Sequence, residues 1–568
     1  MSAARTFPAP ATGSAQPAVR RLIVYILLFA LVIVAAIGVS GLLGRLLATG
    51  TVLVAGDVAG LARSLAFALI GGPMAAALWW FVWRRLDDAA ERLSVGWGLY
   101  LAGMYSVSLV VSASALLGTL ASLIGGATQG WQQSVANGLV WSAVWGWHRW
   151  MWRHPRKRPV QLADLPVALG AVYGLVLGVG GTVTALANLL DTAIRGVTAS
   201  ASVGDPWWRF ALQALAWAAG GGAIWWWHWF RNGGSRLQTG LAAVALVLFG
   251  ILGAALLALG GTGTVLFILL RLVFDRTDPL SEVADSLGTA LAAGAVGSLV
   301  WTYHRTVARQ RPETTRQAAK LVTTGVALAA AATGIGVVVN SVLSIAATPL
   351  AGGGTRTLLL GGISSLAVGG PLWWFTWKPG IPPEPTELGR RGRRVFLIAV
   401  FGLSAVVAVI TLLVIGYRVF EFLLDGVTGG SLVDRIRAAL GLLVATGLAA
   451  GYHFAVWRHD RARAAALGPV RQRTIGQVIL VAAGDPQLLA RVAAEVTGAA
   501  VSVWTRADAE SAGGAARPAG QPAEIAGEGA PGEFADRLAL ALEGITADRV
   551  LVVWGPGTRL EVIPLAGA

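Results

Sequence analysis

Long apolar stretches and short polar turns alternate along most of this chain. Stretches of spanning length lie near 22–44, 64–83, 98–120, 133–152, 165–187, 209–230, 239–262, 284–304, 318–340, 357–377, 395–417 and 436–457. A hydrocarbon core of about 30 Å needs about 20 apolar residues per helix, and each stretch meets that length. The pattern predicts an all-α polytopic membrane domain of about twelve transmembrane helices, joined as six helical hairpins. Two readings stay open at 241–274, which is apolar throughout: one long helix, or a helix plus a re-entrant piece around Gly260-Gly261-Thr262-Gly263.

The even-numbered stretches share an ending. They close on Trp79-Trp80-Phe81-Val82-Trp83, Trp145-Gly146-Trp147-His148, Trp225-Trp226-Trp227-His228-Trp229, Trp301-Thr302-Tyr303-His304, Trp373-Trp374-Phe375-Thr376-Trp377 and Tyr452-His453-Phe454-Ala455-Val456-Trp457. Arginine or lysine follows closely. Aligning Trp83, His148, His228, His304, Trp377 and His453 gives intervals of 65, 80, 76, 73 and 76 residues. A recurring interval with a shared ending marks an internal repeat. The repeats run at about 20–85, 95–153, 165–231, 238–305, 316–378 and 390–458. A Pro- and Ala-rich tail, 1–19, precedes them and reads as disordered.

Beyond a basic linker at 459–474 the pattern changes. Runs at 475–482, 500–505, 550–554 and 559–564 read as strands, and 487–497 and 534–542 as helices. Gly555-Pro556-Gly557-Thr558 turns the last two strands into a hairpin. Residues 475–568 therefore predict a small soluble α+β module, with a flexible insertion at 511–532.

Composition agrees with the pattern. Of 568 residues, 55% are hydrophobic and 13% charged, about half the charged share of a soluble domain. The absence of cysteine excludes disulfides and thiolate chemistry. Abundant alanine and glycine with scarce lysine suggest a high-GC bacterial source. Residues 1–474 hold 38 Lys+Arg and 18 Asp+Glu, a balance of +20; residues 475–568 hold 6 and 11, a balance of −5. Of the 38 basic residues, 28 fall in the N-terminal tail and the segments after each hairpin, and 10 in the opposite connections. Basic loops stay in the cytoplasm, so the expected location is the bacterial cytoplasmic membrane with both termini cytoplasmic. Insertion topology also accounts for the pI of about 11.1, so no nucleic-acid partner is expected.

Candidate chemistry is sparse. Trp80, Trp83, Trp145, Trp225, Trp301, Trp374, Trp377 and Trp457 read as interfacial anchors, because tryptophan prefers the headgroup level. His148, His228, His304 and His453 repeat at one depth and are the candidates for a haem or metal. The plainer reading makes them interfacial caps of the last helical turn. No metal site, cofactor or catalytic residue is expected. Gly71-Gly72-Pro73 and Gly369-Gly370-Pro371 read as small-residue packing with a tolerated proline. Gly484-Asp485-Pro486 lacks the Gly-rich run and Lys-Ser/Thr of a phosphate loop.

The repeat unit, with the residues from Leu139 to Arg149, Ala218 to Trp229 and Gly294 to Arg305, resembles the bacterial membrane family defined by domain of unknown function 5671. The likeness spans most of 20–458 as tandem copies and carries no activity with it; repeats one and five depart at the histidine position. The expected function is a non-enzymatic membrane scaffold or sensor. Its partners would be the lipid bilayer and a protein bound by the acidic C-terminal module. The alternative is a facilitative transporter or channel for a small or lipidic solute.

Overall fold

The computed structural model describes residues 15–48, 57–126, 130–198, 206–275, 277–347, 353–377, 387–424, 431–466, 475–482, 487–505, 531–542, 545, 547–554 and 560–565. Most of the N-terminal tail, the 511–532 insertion up to residue 530, and the turns at 483–486 and 555–559 lie outside them. The chain divides into two compact units, Met1–Ala455 and Val456–Ala568.

The described residues of the first unit form twelve long helices joined by turns, with short helical segments at 89–92, 234–236 and 280–283. Its helices are α1 (Ala15–Leu47), α2 (Val58–Arg85), α3 (Val95–Ile124), α4 (Trp131–Arg153), α5 (Leu165–Thr198), α6 (207–231), α7 (Gly240–Phe274), α8 (Leu287–Arg309), α9 (Glu313–Ala347), α10 (Gly353–Trp377), α11 (Glu387–Leu424) and α12 (Leu432–Ala466), the last running on into the second unit. Among the described residues, ten helices are long and apolar enough to cross a membrane. Of the expected twelve, α4 and α6 fall outside that measure. Both have span length, but tryptophan, glutamine and arginine lower their hydropathy. Residues 240–274 form one continuous helix with a π-helical stretch at Leu246–Gly253, and no re-entrant piece interrupts it. The Gly71-Gly72-Pro73 helix also continues, its Pro73 following a π turn at Phe67–Gly71.

Neighbouring helices pack side by side: α3 on α4, α5 on α6, α7 on α8 and α9 on α10. Small residues make this close approach. A Cβ on Gly221 would strike the backbone at Gly178, and one on Gly261 the backbone at Gly294. Glycine here lets two helix backbones touch, as in membrane helix pairs. The outward surface is apolar: α11 alone exposes Leu403, Val406, Val409, Ile410 and Leu413. Patches of this extent do not face water in a monomeric soluble protein.

The second unit builds a four-stranded sheet from β1 (Ile475–Ala482), β2 (Ala500–Thr505), β3 (Ala547–Trp554) and β4 (Leu560–Leu565), in the order β2-β1-β3-β4. β1 runs parallel to β2 and β3, whereas β3 and β4 pair antiparallel, Val552 opposite Val562. Helices α13 (Gln487–Thr497) and α14 (Pro531–Leu542) pack together. Val478, Leu480, Val550 and Val552 meet Leu489, Ala493, Leu538 and Leu542 in one buried core.

Candidate functional site

Residues four apart share a helix face. Trp79 and Trp83 on α2, Trp225 and Trp229 on α6, and Trp373 and Trp377 on α10 are such pairs. Each pair presents its first ring edge-on to an aromatic residue just before a histidine on a later helix. Trp79 meets Trp147 at 5.9 Å and 72°, Trp225 meets Tyr303 at 5.8 Å and 76°, and Trp373 meets Tyr452 at 5.4 Å and 73°. The second ring donates to the tyrosine in two cases: Trp229 Nε1 to Tyr303 Oη at 2.7 Å and Trp377 Nε1 to Tyr452 Oη at 2.9 Å. His304 and His453 each lie 5.6 Å from that tryptophan. In the first copy Trp83 instead stacks on Trp150 at 5.4 Å. The chain thus repeats one aromatic constellation three times, each spanning two hairpins.

This geometry corrects the alignment drawn from the histidines. Trp229, not His228, is the structural counterpart of Trp83 and Trp377, and His228 corresponds to Val82 and Thr376. Only His148, His304 and His453 are equivalent. The signal was present in the strings 79–83, 225–229 and 373–377, all of which begin Trp-Trp and end in Trp.

The histidines are also not water-facing caps. His148, His228, His304 and His453 are all buried, and each ring bonds its own helix four residues back. Nδ1 meets Val144 O at 2.7 Å, and Ile224 O, Val300 O and Ala449 O at 2.8 Å each. A carbonyl only accepts, so Nδ1 carries the hydrogen and Nε2 is the acceptor. Tyr100 Oη lies 3.1 Å from His148 Nε2, and Tyr105 Oη 2.8 Å from His228 Nε2. His453 Nε2 is buried with no hydrogen-bond partner. The four rings sit in separate aromatic surroundings, and among the described residues no group of three or more His, Cys, Asp or Glu is placed to hold a metal. Sequence reading missed their partners Tyr100 and Tyr105, which lie on α3 at positions no spacing rule singles out.

The expected anchors divide by exposure. Trp80 and Trp374 are exposed at 56% and 57%; Trp83, Trp145, Trp225, Trp301 and Trp457 are half-buried, and Trp377 is buried. Arginines lie over several of these rings, Arg84 over Trp80 at 3.9 Å and Arg305 over Trp301 at 5.3 Å. At the opposite end of α7, buried Asp275 accepts from Thr357 Oγ1 at 2.7 Å and Thr277 Oγ1 at 2.9 Å. The Thr357 bond, with Thr277 and Arg271 adding to it against the cost of burial, holds its carboxyl below the usual carboxylate range.

A cavity of about 990 Å³ lies between α7, α9 and α10, with Phe396 of α11 also on its lining. Leu256, Phe267, Val326 and Val368 form its walls, and among the described residues no charged side chain lines it. Several hydroxyls there are already engaged: Ser364 donates to Leu360 O, Ser365 to Ala330 O and Thr357 to Asp275. Thr264 and Thr333 also line the space, and the rest of its lining is aliphatic, aromatic or glycine.

Apolar helices in tandem, joined by a threefold aromatic constellation, define a repeat protein whose helices suit a membrane. The family model of Domain of unknown function (DUF5671) matches three times, over residues 21–147, 164–295 and 320–448. The chain belongs to this family and carries three copies of its domain. Each matched segment covers three helices and ends inside the fourth, α4, α8 or α12. No curated protein and no solved structure is significantly similar to the chain.

Proposed function

We propose that the protein is a non-enzymatic integral membrane scaffold or sensor, with twelve spanning helices in six hairpins and a cytoplasmic module that binds a protein partner. Ten helices meet the length and apolarity of a span. Helix α4, with 23 residues, reaches about 35 Å at 1.5 Å per residue, enough to join them. The 28-to-10 division of basic residues supports cytoplasmic termini in a bacterial inner membrane.

The observation that favours a scaffold over a conduit for hydrophilic solutes is the lining of the 990 Å³ cavity. Ion-coupled transporters place charged groups deep in their spans. Here the walls are mostly aliphatic, and the Thr357, Ser364 and Ser365 hydroxyls bond to the protein itself. A second reading, carriage of an apolar or lipidic solute, draws on the same walls.

Because the chain has no cysteine, single Thr333→Cys and Ser364→Cys variants report directly on the cavity. Membranes containing each would be treated with a charged, membrane-impermeant methanethiosulfonate from either side. The scaffold reading predicts no modification before denaturation. Rapid modification at both positions would reveal a water-filled path and replace the scaffold with a transporter.

A further inference from the structure

Several basic side chains at helix ends in the first unit have polar partners. Arg21 pairs with Glu91 at 3.0 Å, Lys157 with Asp87 at 3.1 Å, and Arg311 donates to Leu237 O and Ser235 O. One cleft instead gathers four cations. Between the end of α8, the start of α9 and the end of α10 lies a space of about 260 Å³ lined by Arg305, Arg309, Arg316 and Lys320. Among the described residues, no carboxylate lies within ion-pair reach of these four side chains. No carboxylate lines the cleft.

The arrangement is electrostatically costly as it stands. Arg305 and Arg309 are four apart on α8, Arg316 and Lys320 four apart on α9, and like charges at that spacing repel. The cleft then sets the two pairs against each other. An anion between them would attract all four cations and offset their mutual repulsion. The floor is apolar, with Ile251 and Ala308 buried, and Phe375 stands 67% exposed at the rim on the outward surface. A small soluble anion has no use for that floor and rim; a phosphate carried on acyl chains does.

We propose that this cleft binds the phosphate headgroup of an anionic membrane lipid. Arg305, Arg309, Arg316 and Lys320 ligate the phosphate oxygens, and the glycerol and first methylenes lie along Phe375 and Ile251. Basic pockets between spanning helices on the cytoplasmic side suit such headgroups. The site depends on α7–α10 lying in a bilayer and not on the scaffold role, so a dry cavity and an empty cleft are separate outcomes.

The test uses the purified full-length protein, titrated with phosphatidylglycerol or phosphatidylcholine and read by native mass spectrometry. The variant replaces all four cations, Arg305→Gln, Arg309→Gln, Arg316→Gln and Lys320→Gln; a milder one carries only Arg309→Gln and Arg316→Gln. A control removes equal charge elsewhere, by Arg84→Gln, Arg85→Gln, Arg458→Gln and Arg463→Gln. All four cleft side chains are exposed, so folding is not at stake, and an unchanged helical circular dichroism spectrum verifies it. The expected result is preferential retention of phosphatidylglycerol, weakened about tenfold or more in the fourfold variant, partly in the double variant and not in the control. Equal retention of both lipids, or equal weakening in the control, would overturn the proposal. Competition by inorganic phosphate at millimolar concentration would overturn the lipid as source and leave a site for a soluble anion.

Discussion

The buried bond between Tyr105 and His228 allows a quantitative test of how the helical unit is held together. Tyr105 lies on α3 and His228 at the end of α6, 123 residues away, so the bond ties one hairpin to the next. Both residues are at most 1% exposed. Because His228 Nδ1 faces Ile224 O, the tyrosine is the donor and Nε2 the acceptor. Tyr105→Phe keeps the ring and deletes only that donor. A buried acceptor left without a partner costs about 1–3 kcal/mol in a soluble protein. Within membranes, hydrogen-bond couplings average about 0.6 kcal/mol and reach about 1.7, because the unfolded helices find other partners. At 2.8 Å and nearly full burial the bond belongs in the upper part of that range, so Tyr105→Phe should destabilise by about 1–1.5 kcal/mol. The assay is equilibrium unfolding in mixed micelles with increasing dodecyl sulfate, for wild type, Tyr105→Phe, His228→Leu and the double variant. The coupling energy should be about 1 kcal/mol, since the double variant orphans neither partner. The half-buried Tyr173, 3.0 Å from Ser114 Oγ, is the comparison, and Tyr173→Phe should cost less than about 0.5 kcal/mol. Additive single effects at Tyr105 and His228, within about 0.3 kcal/mol, would refute the bond as a tie between hairpins.

Three other predictions follow from the same geometry. Changing His148, His228, His304 and His453 together to Gln should leave the metal content and visible spectrum of the purified protein unaltered; loss of a bound metal or a haem band would make them cofactor ligands. Residues 470–568 expressed alone should give a mixed α/β circular dichroism spectrum and a cooperative melt, since Val478, Leu480, Val550 and Val552 close a core with Leu489 and Leu538; a coil spectrum would contradict an independently folding module. Asp275, with its carboxyl held below the ordinary value, contributes stability that is present above about pH 4 and is lost as pH falls through its folded-state value. Thr357→Val should therefore move the acid-unfolding midpoint of the helical unit upward, and an unmoved midpoint would show that the Thr357 bond does not set this titration.

Much of the architecture was legible because it depends on local pattern. Spans such as 22–44 and 395–417 are read from apolar length alone, and α1 and α11 cover them. The β-branched runs at Val478-Ile479-Leu480-Val481 and Val550-Leu551-Val552-Val553 announced two strands, although their parallel pairing and the order β2-β1-β3-β4 depend on contacts distant in sequence. Helices α4 and α6 fall below the hydropathy of a span because glutamine, arginine and many tryptophans, which score as nearly neutral, make up much of them. The repeat was visible but halved: six similar endings concealed a unit of two hairpins, because a conspicuous histidine at 228 drew the alignment one residue away from Trp229. The burial of the histidines was not legible, since Trp and Arg beside them read equally well as a boundary or as an interior. Nor was the basic cleft, because Arg305 and Arg309 look like ordinary loop-flanking charge until α9 folds back to set Arg316 and Lys320 opposite them.

The account rests most heavily on six hairpins crossing one membrane, and sided cysteine labelling tests it most directly. Single cysteines would be introduced after Arg92, Arg158, Arg236, Arg316, Arg391 and Arg473, and in the six opposite connections, then labelled in intact cells with an impermeant maleimide before and after permeabilisation. The account predicts that the first set reacts only after permeabilisation and the second set in intact cells. A single exception near Arg236, whose segment is the least basic of the set, would break one hairpin locally; two or more exceptions in the first set would contradict the six-hairpin arrangement.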